Sequence, residues 1–141
     1  MLDDNFNTKA GKNPASPQPA VAGYDIHIYF KPGESSEKNA QEVVRNMRAL
    51  FPDSVNDVHT VGIIGPHLSH NYGVDIKPES FGKVISWLQL NSSGLSILVH
   101  PRTGDELRDH MELPLWLGKQ LELNPAYFAK LKKNDKKGPS L

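Results

Sequence analysis

The chain has 141 residues, the usual size of one domain with a single core, and its 16 basic and 16 acidic side chains give a formal net charge of zero. A neutral chain lacks the broad electrostatic field that recruits nucleic acid or an anionic membrane, so we expect neither as a partner. The chain contains no cysteine, which excludes disulfides and thiolate ligands and leaves histidine and carboxylate to hold any metal.

The two ends differ from the middle of the chain in composition. Residues 1–22 are rich in Asn, Pro, Ala and Ser without an apolar period, and we expect a mobile leader there. This segment lacks the basic start and apolar run of a signal peptide, and no stretch approaches the roughly 20 apolar residues of a membrane span, so we expect a cytoplasmic protein. Residues 129–141 form a lysine-rich tail, which leaves one predicted domain over residues 23–128.

The first predicted elements are a strand and a helix. Polar and apolar side chains alternate in YDIHIYF, residues 24–30, which predicts a strand with one apolar and one polar face. The segment SEKNAQEVVRNMRALF then has apolar residues at helical spacing, which predicts a core-facing helix over residues 37–51 with Ser36 as N-cap and Pro52 as the stop. The polar face of the strand carries Asp25, His27 and Tyr29.

Four further predicted elements complete the middle of the chain. Strands over residues 58–64 and 70–76 are joined by the GPHLS loop and are expected to form an antiparallel pair. Pro78 precedes a second predicted helix, over residues 79–90, which NSSG ends. A fourth strand is predicted over residues 95–100. Alternation in that strand directs Leu95, Ile97 and Val99 toward the helices and Ser96, Leu98 and His100 away from them.

The order strand, helix, strand, strand, helix, strand predicts an α+β, ferredoxin-like (βαββαβ) fold, in which two helices cover one face of an antiparallel sheet. The first and third strands are central in this fold and the fourth lies beside the first. His27 and His100 should therefore project from neighbouring strands on the face away from the helices, which we expect to stay open for a site. Because a small domain would bury such a face, we predict a homodimer formed through sheet edges or through residues 111–128.

The histidines differ in how strongly the pattern favours a functional role. His27 and His100 are the best pair, because both fall on the polar face of adjacent strands. His67 lies in the loop between the two middle strands, where it either reaches over the sheet or serves as a turn residue. His59 and His70 lie in predicted strands, and a hydrogen-bonded structural or surface role is the simpler interpretation of both.

Several motifs carry a family resemblance by their order along the chain. HIYF is followed by GPH, then by HPRTGDELRDH at the end of the WLQLNSSGLSILVH run, and then by WLG. Together they resemble the DOPA 4,5-dioxygenase family, small proteins of fungi and bacteria, over residues 23–122. The chain departs from the family pattern after GPH, where it has LSHNYGV, with His70 at a position where an apolar residue is usual.

The resemblance implies a mononuclear non-haem metal and extradiol cleavage of a catechol such as DOPA, in which O2 is inserted beside the two hydroxyls and the ring opens to a semialdehyde. It implies Fe(II) as the cofactor, and imidazole and carboxylate ligands suit iron(II). Whether Zn or Ni replaces iron in purified material stays open. The family's histidine motifs place the metal on His27, His67 and His100. The candidates for a carboxylate ligand or orienting group are Asp25, Asp109 and Glu112.

The remaining predicted site residues act on the substrate. His110 is the predicted acid–base catalyst, which takes a proton from the catechol as it binds and returns one later in the reaction. The alternative for His110 is a surface pairing with a neighbouring carboxylate. Arg102 is predicted to bind a substrate carboxylate through its two-pronged guanidinium, and Tyr29 is a second predicted substrate contact. Trp116 is expected to pack in the core.

A function from another class stays open. Ferredoxin-like sheets also serve as dimeric ligand-binding modules, and the same histidines can bind a metal without turnover or line a pocket for a small aromatic effector. Oxygen consumption with catechols by a metal-bearing protein indicates the enzyme, whereas tight aromatic binding without oxygen uptake indicates the module.

Overall fold

The computed structural model describes residues 21–133, which form an α+β fold around one five-stranded antiparallel sheet. The predicted leader lies outside the described residues except for residues 21 and 22, and the predicted tail lies outside them from residue 134 onward. The last helix continues to Lys133, past the predicted domain end at residue 128.

The sheet has the strand arrangement of the predicted ferredoxin-like fold, with one strand added at an edge. Its order is β2-β3-β1-β4-β5, so β1 and β3 are central and β4 lies beside β1, as predicted. In the register of these strands His27 lies opposite Gly73, and Asp25 lies opposite His100. The strands are β1 (Tyr24–Tyr29), β2 (Thr60–Gly62), β3 (Asn71–Ile76), β4 (Ile97–Pro101) and β5 (Leu115–Leu117).

The first two helices, α1 (Ser35–Leu50) and α2 (Phe81–Leu90), contribute to the main hydrophobic core, and a short 3-10 turn (Pro78–Ser80) precedes α2. Each fully buried aliphatic side chain in such a core contributes roughly 1.5–3 kcal/mol to the free energy of unfolding. The sheet supplies Ile26, Ile28, Val74, Ile76, Ile97 and Val99 to this core, and the helices supply Ala40, Val43, Val44, Met47, Val84, Ile85 and Leu88.

The start of α1 differs from the prediction. Glu34 rather than Ser36 occupies the N-cap position, and its side chain makes no capping hydrogen bond. The Ser36 hydroxyl instead accepts a hydrogen bond from the backbone N–H of Lys31 (2.9 Å), and the Glu37 carboxylate accepts one from the backbone N–H of Gly33 (2.9 Å). The turn before α1 is therefore stabilised by side chains from inside the first helical turn.

The second face of the sheet is covered, which corrects the prediction of an open face. Two further helices, α3 (Glu106–Met111) and α4 (Pro125–Lys133), follow β4 together with β5. A smaller hydrophobic cluster forms on this side, because the chain after β4 has enough apolar residues to bury it. The members of that cluster are Tyr29, Leu98 and Leu123, with Trp116 and Leu121 packed against them.

No helix within residues 21–133 is both long enough and apolar enough to cross a membrane.

Candidate metal centre

Four of the six histidines converge in the layer between the sheet and its C-terminal cover, and all four are at most 2% exposed. His27 comes from β1, His100 from β4, His67 from the loop between β2 and β3, and His110 from α3. The ring centroids of His27 and His67 lie 4.1 Å apart, and those of His100 and His110 lie 3.9 Å apart. Two antiparallel strands, one loop and one short helix thus bring together residues that are up to 83 positions apart in the sequence.

Hydrogen bonds at Nδ1 fix the tautomer of three of these rings. His100 donates from Nδ1–H to the carbonyl oxygen of Pro101 (2.9 Å), and His110 donates to the carbonyl oxygen of Glu106 (2.8 Å). His27 donates to the side-chain oxygen of Asn71 (2.9 Å). A carbonyl oxygen only accepts, so each of these neutral rings carries its proton on Nδ1 and keeps a lone pair on Nε2.

The Asn71 amide orientation is itself determined by its neighbours. Its Nδ2 donates to the backbone carbonyls of Gly62 (3.1 Å) and Ser69 (3.2 Å), so its oxygen must face His27. Asn71 is fully buried.

The Nε2 atoms of all four histidines are buried and have no hydrogen-bond partner within the described part of the chain. A buried polar atom without a partner costs roughly 1–3 kcal/mol, so four together require an explanation. Donor atoms of His27, His67 and His110 lie within 4.8 Å of one another, as do those of Asp25, His27 and His100. An imidazole that bonds a carbonyl through Nδ1–H and presents Nε2 is the usual arrangement of a metal-ligating histidine. The donor set therefore fits a metal ion.

The protonation state of the cluster suits metal binding. Burial lowers the pKa of His67 to about 3 and that of His110 to about 4, and a neighbouring imidazole adds to the effect in each case. Burial also lowers the pKa of His27, with His67 and His100 contributing, and that of His100, where Asp25 acts in the opposite direction. At neutral pH the rings are therefore uncharged, which is the form that ligates a metal.

Asp25 is the carboxylate nearest to the cluster. Its oxygens lie 3.5 Å from Nε2 of His100 and 3.6 Å from Nε2 of His59. The Asp25 carboxylate raises the pKa of His59, which burial partly opposes. Of the three predicted carboxylate candidates, only Asp25 lies close enough to other ligand atoms, among the described residues, to share a metal ion with them.

The other two carboxylate candidates lie elsewhere. Asp109 accepts hydrogen bonds from the backbone N–H (2.8 Å) and the hydroxyl (2.6 Å) of Thr103, and so fixes the turn that leads into α3. Glu112 caps the C-terminus of α3 and is exposed.

Arg102 faces carboxylates of the protein. Its guanidinium lies 3.7 Å from Asp25 and 3.6 Å from Asp75. It does not line the cavity beside His110, and its predicted contact with a substrate carboxylate stays a prediction. His70, outside the cluster, lies at the end of the loop before β3 with its ring 6.0 Å from that of Phe30.

Tyr29 connects the cluster to the smaller hydrophobic core. Its hydroxyl lies 2.7 Å from Nδ1 of His67, and its ring stacks on Trp116 with centroids 5.8 Å apart. Burial raises the pKa of the Tyr29 hydroxyl, so the phenol stays neutral. A cavity of about 660 Å³ borders His110 and is also lined by Trp116, Gln120 and Glu122.

Asn71 and Gly73 are site residues that the sequence analysis missed. A Cβ atom on Gly73 would lie 3.0 Å from the ring of His27 and 2.8 Å from Cβ of Thr60, so the glycine makes room for the imidazole. The available signal was a glycine inside a strand pattern, which indicates a close approach by another group.

The fold and the site together define a protein with a ferredoxin-like sheet and a buried histidine cluster whose Nε2 atoms have no partner among the described residues, an arrangement that can hold a metal ion. Residues 24–127 match the sequence model of the Dopa 4,5-dioxygenase family. The chain belongs to that family.

Individual relatives agree with this assignment. The chain is 34% identical over 112 residues to a DOPA 4,5-dioxygenase of Amanita muscaria and 36% identical over 118 residues to an uncharacterized 21.2 kDa protein of Botryotinia fuckeliana. These alignments cover 75% and 77% of this chain but span only 49% and 64% of the two relatives. A crystal structure of a "putative dioxygenase" from Nostoc punctiforme PCC 73102 has a TM-score of 0.71 at 39% identity, and the match covers 79% of this chain and 94% of that one.

Proposed function

We propose that the protein is an extradiol dioxygenase that cleaves the aromatic ring of a catechol, such as DOPA, with O2 at a mononuclear non-haem metal. The observation that carries the proposal is the set of four buried imidazoles whose Nε2 atoms have no partner among the described residues. Membership of a dioxygenase family and the 39% identical structural relative support an oxygenase over other metal-dependent chemistry.

We assign the metal to His27, His67 and His110, whose donor atoms lie within 4.8 Å of one another, because this choice leaves the pair of His100 and Asp25 available for proton transfer. When bound, a redox-active ion such as iron(II) supplies the electron-transfer chemistry that lets dioxygen react with an aromatic ring. The sequence-based division of roles, with His100 as a ligand and His110 as the acid–base catalyst, stays the competing prediction. The two assignments exchange one histidine and can be separated by mutation.

In this assignment His100 is the general base that accepts the proton that the catechol loses on binding. Its Nε2 is buried and has no hydrogen-bond partner within residues 21–133, and it faces Asp25 at 3.5 Å. A lowered pKa keeps the ring neutral and ready to accept a proton, and the Asp25 carboxylate stabilises the charged form once it is made. The bond from Nδ1–H to the Pro101 carbonyl keeps Nε2 directed at the site.

The cavity beside His110 supports a small aromatic substrate. Its volume of about 660 Å³ falls within the ordinary range for ligand pockets. Trp116 and Leu123 offer apolar contacts to a ring, while Gln120 and Glu122 offer polar contacts to a side chain.

The test is oxygen uptake by iron(II)-loaded protein with a series of catechols, followed together with the absorbance of the yellow ring-opened semialdehyde. Oxygen uptake should match product formation one to one, since both oxygen atoms enter the product. Metal-free protein and a His27→Gln variant serve as controls and should consume no oxygen. Tight metal and catechol binding without oxygen uptake would instead support the non-catalytic binding module.

A further inference from the structure

His67 differs from the other three clustered histidines in the group that its Nδ1 contacts. The partners of His27, His100 and His110 are carbonyl oxygens, which only accept hydrogen bonds. The partner of His67 is the Tyr29 hydroxyl, which can either donate or accept. Of the four histidines, His67 is therefore the one whose Nδ1 hydrogen bond is compatible with either tautomer.

The metal-free cluster favours a proton on Nε2 of His67. The other Nε2 atoms carry lone pairs that point into a buried space, and donor atoms of His27, His67 and His110 lie within 4.8 Å of one another. If all three Nε2 atoms carried lone pairs, the lone pairs would repel one another. A proton on one of the three atoms relieves that repulsion. A phenol is also a better donor than acceptor, so the Tyr29 hydroxyl donating to Nδ1 matches this tautomer.

A bound metal requires the opposite tautomer. The lone pair of Nε2 must then be free for the ion, so the single ring proton of His67 must lie on Nδ1. This Nδ1–H faces the Tyr29 oxygen at 2.7 Å and can only donate to it. Both groups stay neutral and keep one proton each, so the change needs no net release of protons.

We propose that Tyr29 is a positioning residue whose hydrogen bond to His67 reverses on metal binding, from Tyr29 as donor in the metal-free protein to Tyr29 as acceptor in the loaded protein. The inference rests on the metal centre of the proposed function. Stacking on Trp116 and burial hold the phenol in place for either direction of the bond.

The reversal also releases the Tyr29 hydroxyl proton from His67. Tyr29 lines a second cavity, of about 440 Å³, together with Ser96, Leu121 and Lys119. In the loaded protein the Tyr29 hydroxyl thus accepts from Nδ1–H of His67, and its own proton is no longer bonded to that ring.

The test uses zinc(II) as a diamagnetic probe and long-range ¹H–¹⁵N spectra of the histidine rings at neutral pH, with the His67 signals identified by their loss in a His67→Gln variant. We expect His67 to change from the Nε2–H to the Nδ1–H form as zinc is added, while His27, His100 and His110 keep their proton on Nδ1. A His67 ring that already carries its proton on Nδ1 in the metal-free protein would overturn the inference. Stoichiometric zinc binding with an unchanged His67 tautomer would also overturn it while leaving the metal centre intact, whereas no zinc binding at all would refute both.

A matched pair of variants gives a second readout. Tyr29→Phe keeps the stacked ring but removes the acceptor for Nδ1–H, so zinc affinity should fall by about 10- to 100-fold, the usual effect of losing a partner that orients a ligand. Tyr72→Phe is the control, because the Tyr72 hydroxyl contacts Gln41 on the helix-covered side of the sheet. Equal zinc affinities in the two variants would contradict the positioning role of Tyr29.

Discussion

Lowering the pH from 7 to 5 is expected to destabilise the metal-free protein by about 4 kcal/mol through His67 and His110 alone. When the chain folds, the pKa of His67 falls from 6.5 to about 3 and that of His110 falls from 6.5 to about 4. The unfolded chain therefore binds protons that the folded chain does not, and stability is lost as the pH falls below 6.5. The loss continues until the pH reaches the folded pKa values.

The magnitude follows from the distance between the chosen pH and the unfolded pKa. At pH 5, which lies about 1.5 units below the unfolded pKa of 6.5, each of the two histidines lowers the free energy of unfolding by about 2 kcal/mol, because one pKa unit corresponds to about 1.36 kcal/mol. His27 and His100 add to the loss, because burial lowers the pKa of both. His59 acts in the opposite direction, because the Asp25 carboxylate raises its pKa.

The assay is urea unfolding of chelator-treated protein at pH 7 and pH 5, with His110→Gln as the matched variant. Since glutamine does not titrate, the variant should lose about 2 kcal/mol less than the wild type between the two pH values. An unfolding free energy that is the same at both pH values in the wild type would refute the buried, neutral histidine cluster. If the variant and the wild type lost the same unfolding free energy between pH 7 and pH 5, His110 would not belong to that cluster.

Three further outcomes are expected. Gly73→Ala should lower metal content and activity together in a folded protein, because the added Cβ would lie 3.0 Å from the His27 ring. Metal analysis measures the metal content and circular dichroism checks the fold, and an unchanged metal content would contradict the close approach. His110→Ala should lose the metal, whereas His100→Ala should keep it and slow turnover by roughly 10²- to 10⁴-fold; the opposite pattern would restore the sequence-based division of roles. The homodimer predicted from an open sheet face, through sheet edges or residues 111–128, has lost that ground because the face is covered within the chain; light scattering at micromolar concentration still tests it, since twice the chain mass would support it and a monomer mass would contradict it.

The sequence was sufficient to predict the sheet and its two core helices because their side chains alternate or repeat regularly. The alternation in residues 24–30 correctly placed His27 on the face away from α1 and α2, and the strand order put β4 beside β1. The strand ends were less well defined: the predicted strand over residues 58–64 is only Thr60–Gly62. A three-residue strand such as β5 has no period to detect.

The cover over the second face could not be predicted from local pattern. It depends on long-range contacts, such as the bridge between His67 and Leu123 and the contact of the His110 ring with Phe128 (5.4 Å). The partner of His27 was equally hidden, because Asn71 lies 44 positions away in the sequence and reaches the ring only through tertiary packing. The sequence identified the histidines that cluster in the fold but not all of the atoms that orient them.

The most direct test of the metal centre is an anomalous difference map from a crystal of protein loaded with one equivalent of iron(II), recorded at the iron absorption edge. The account predicts one strong peak in contact with the Nε2 atoms of His27, His67 and His110. A peak at a surface carboxylate, with no density at the histidine cluster, would contradict it.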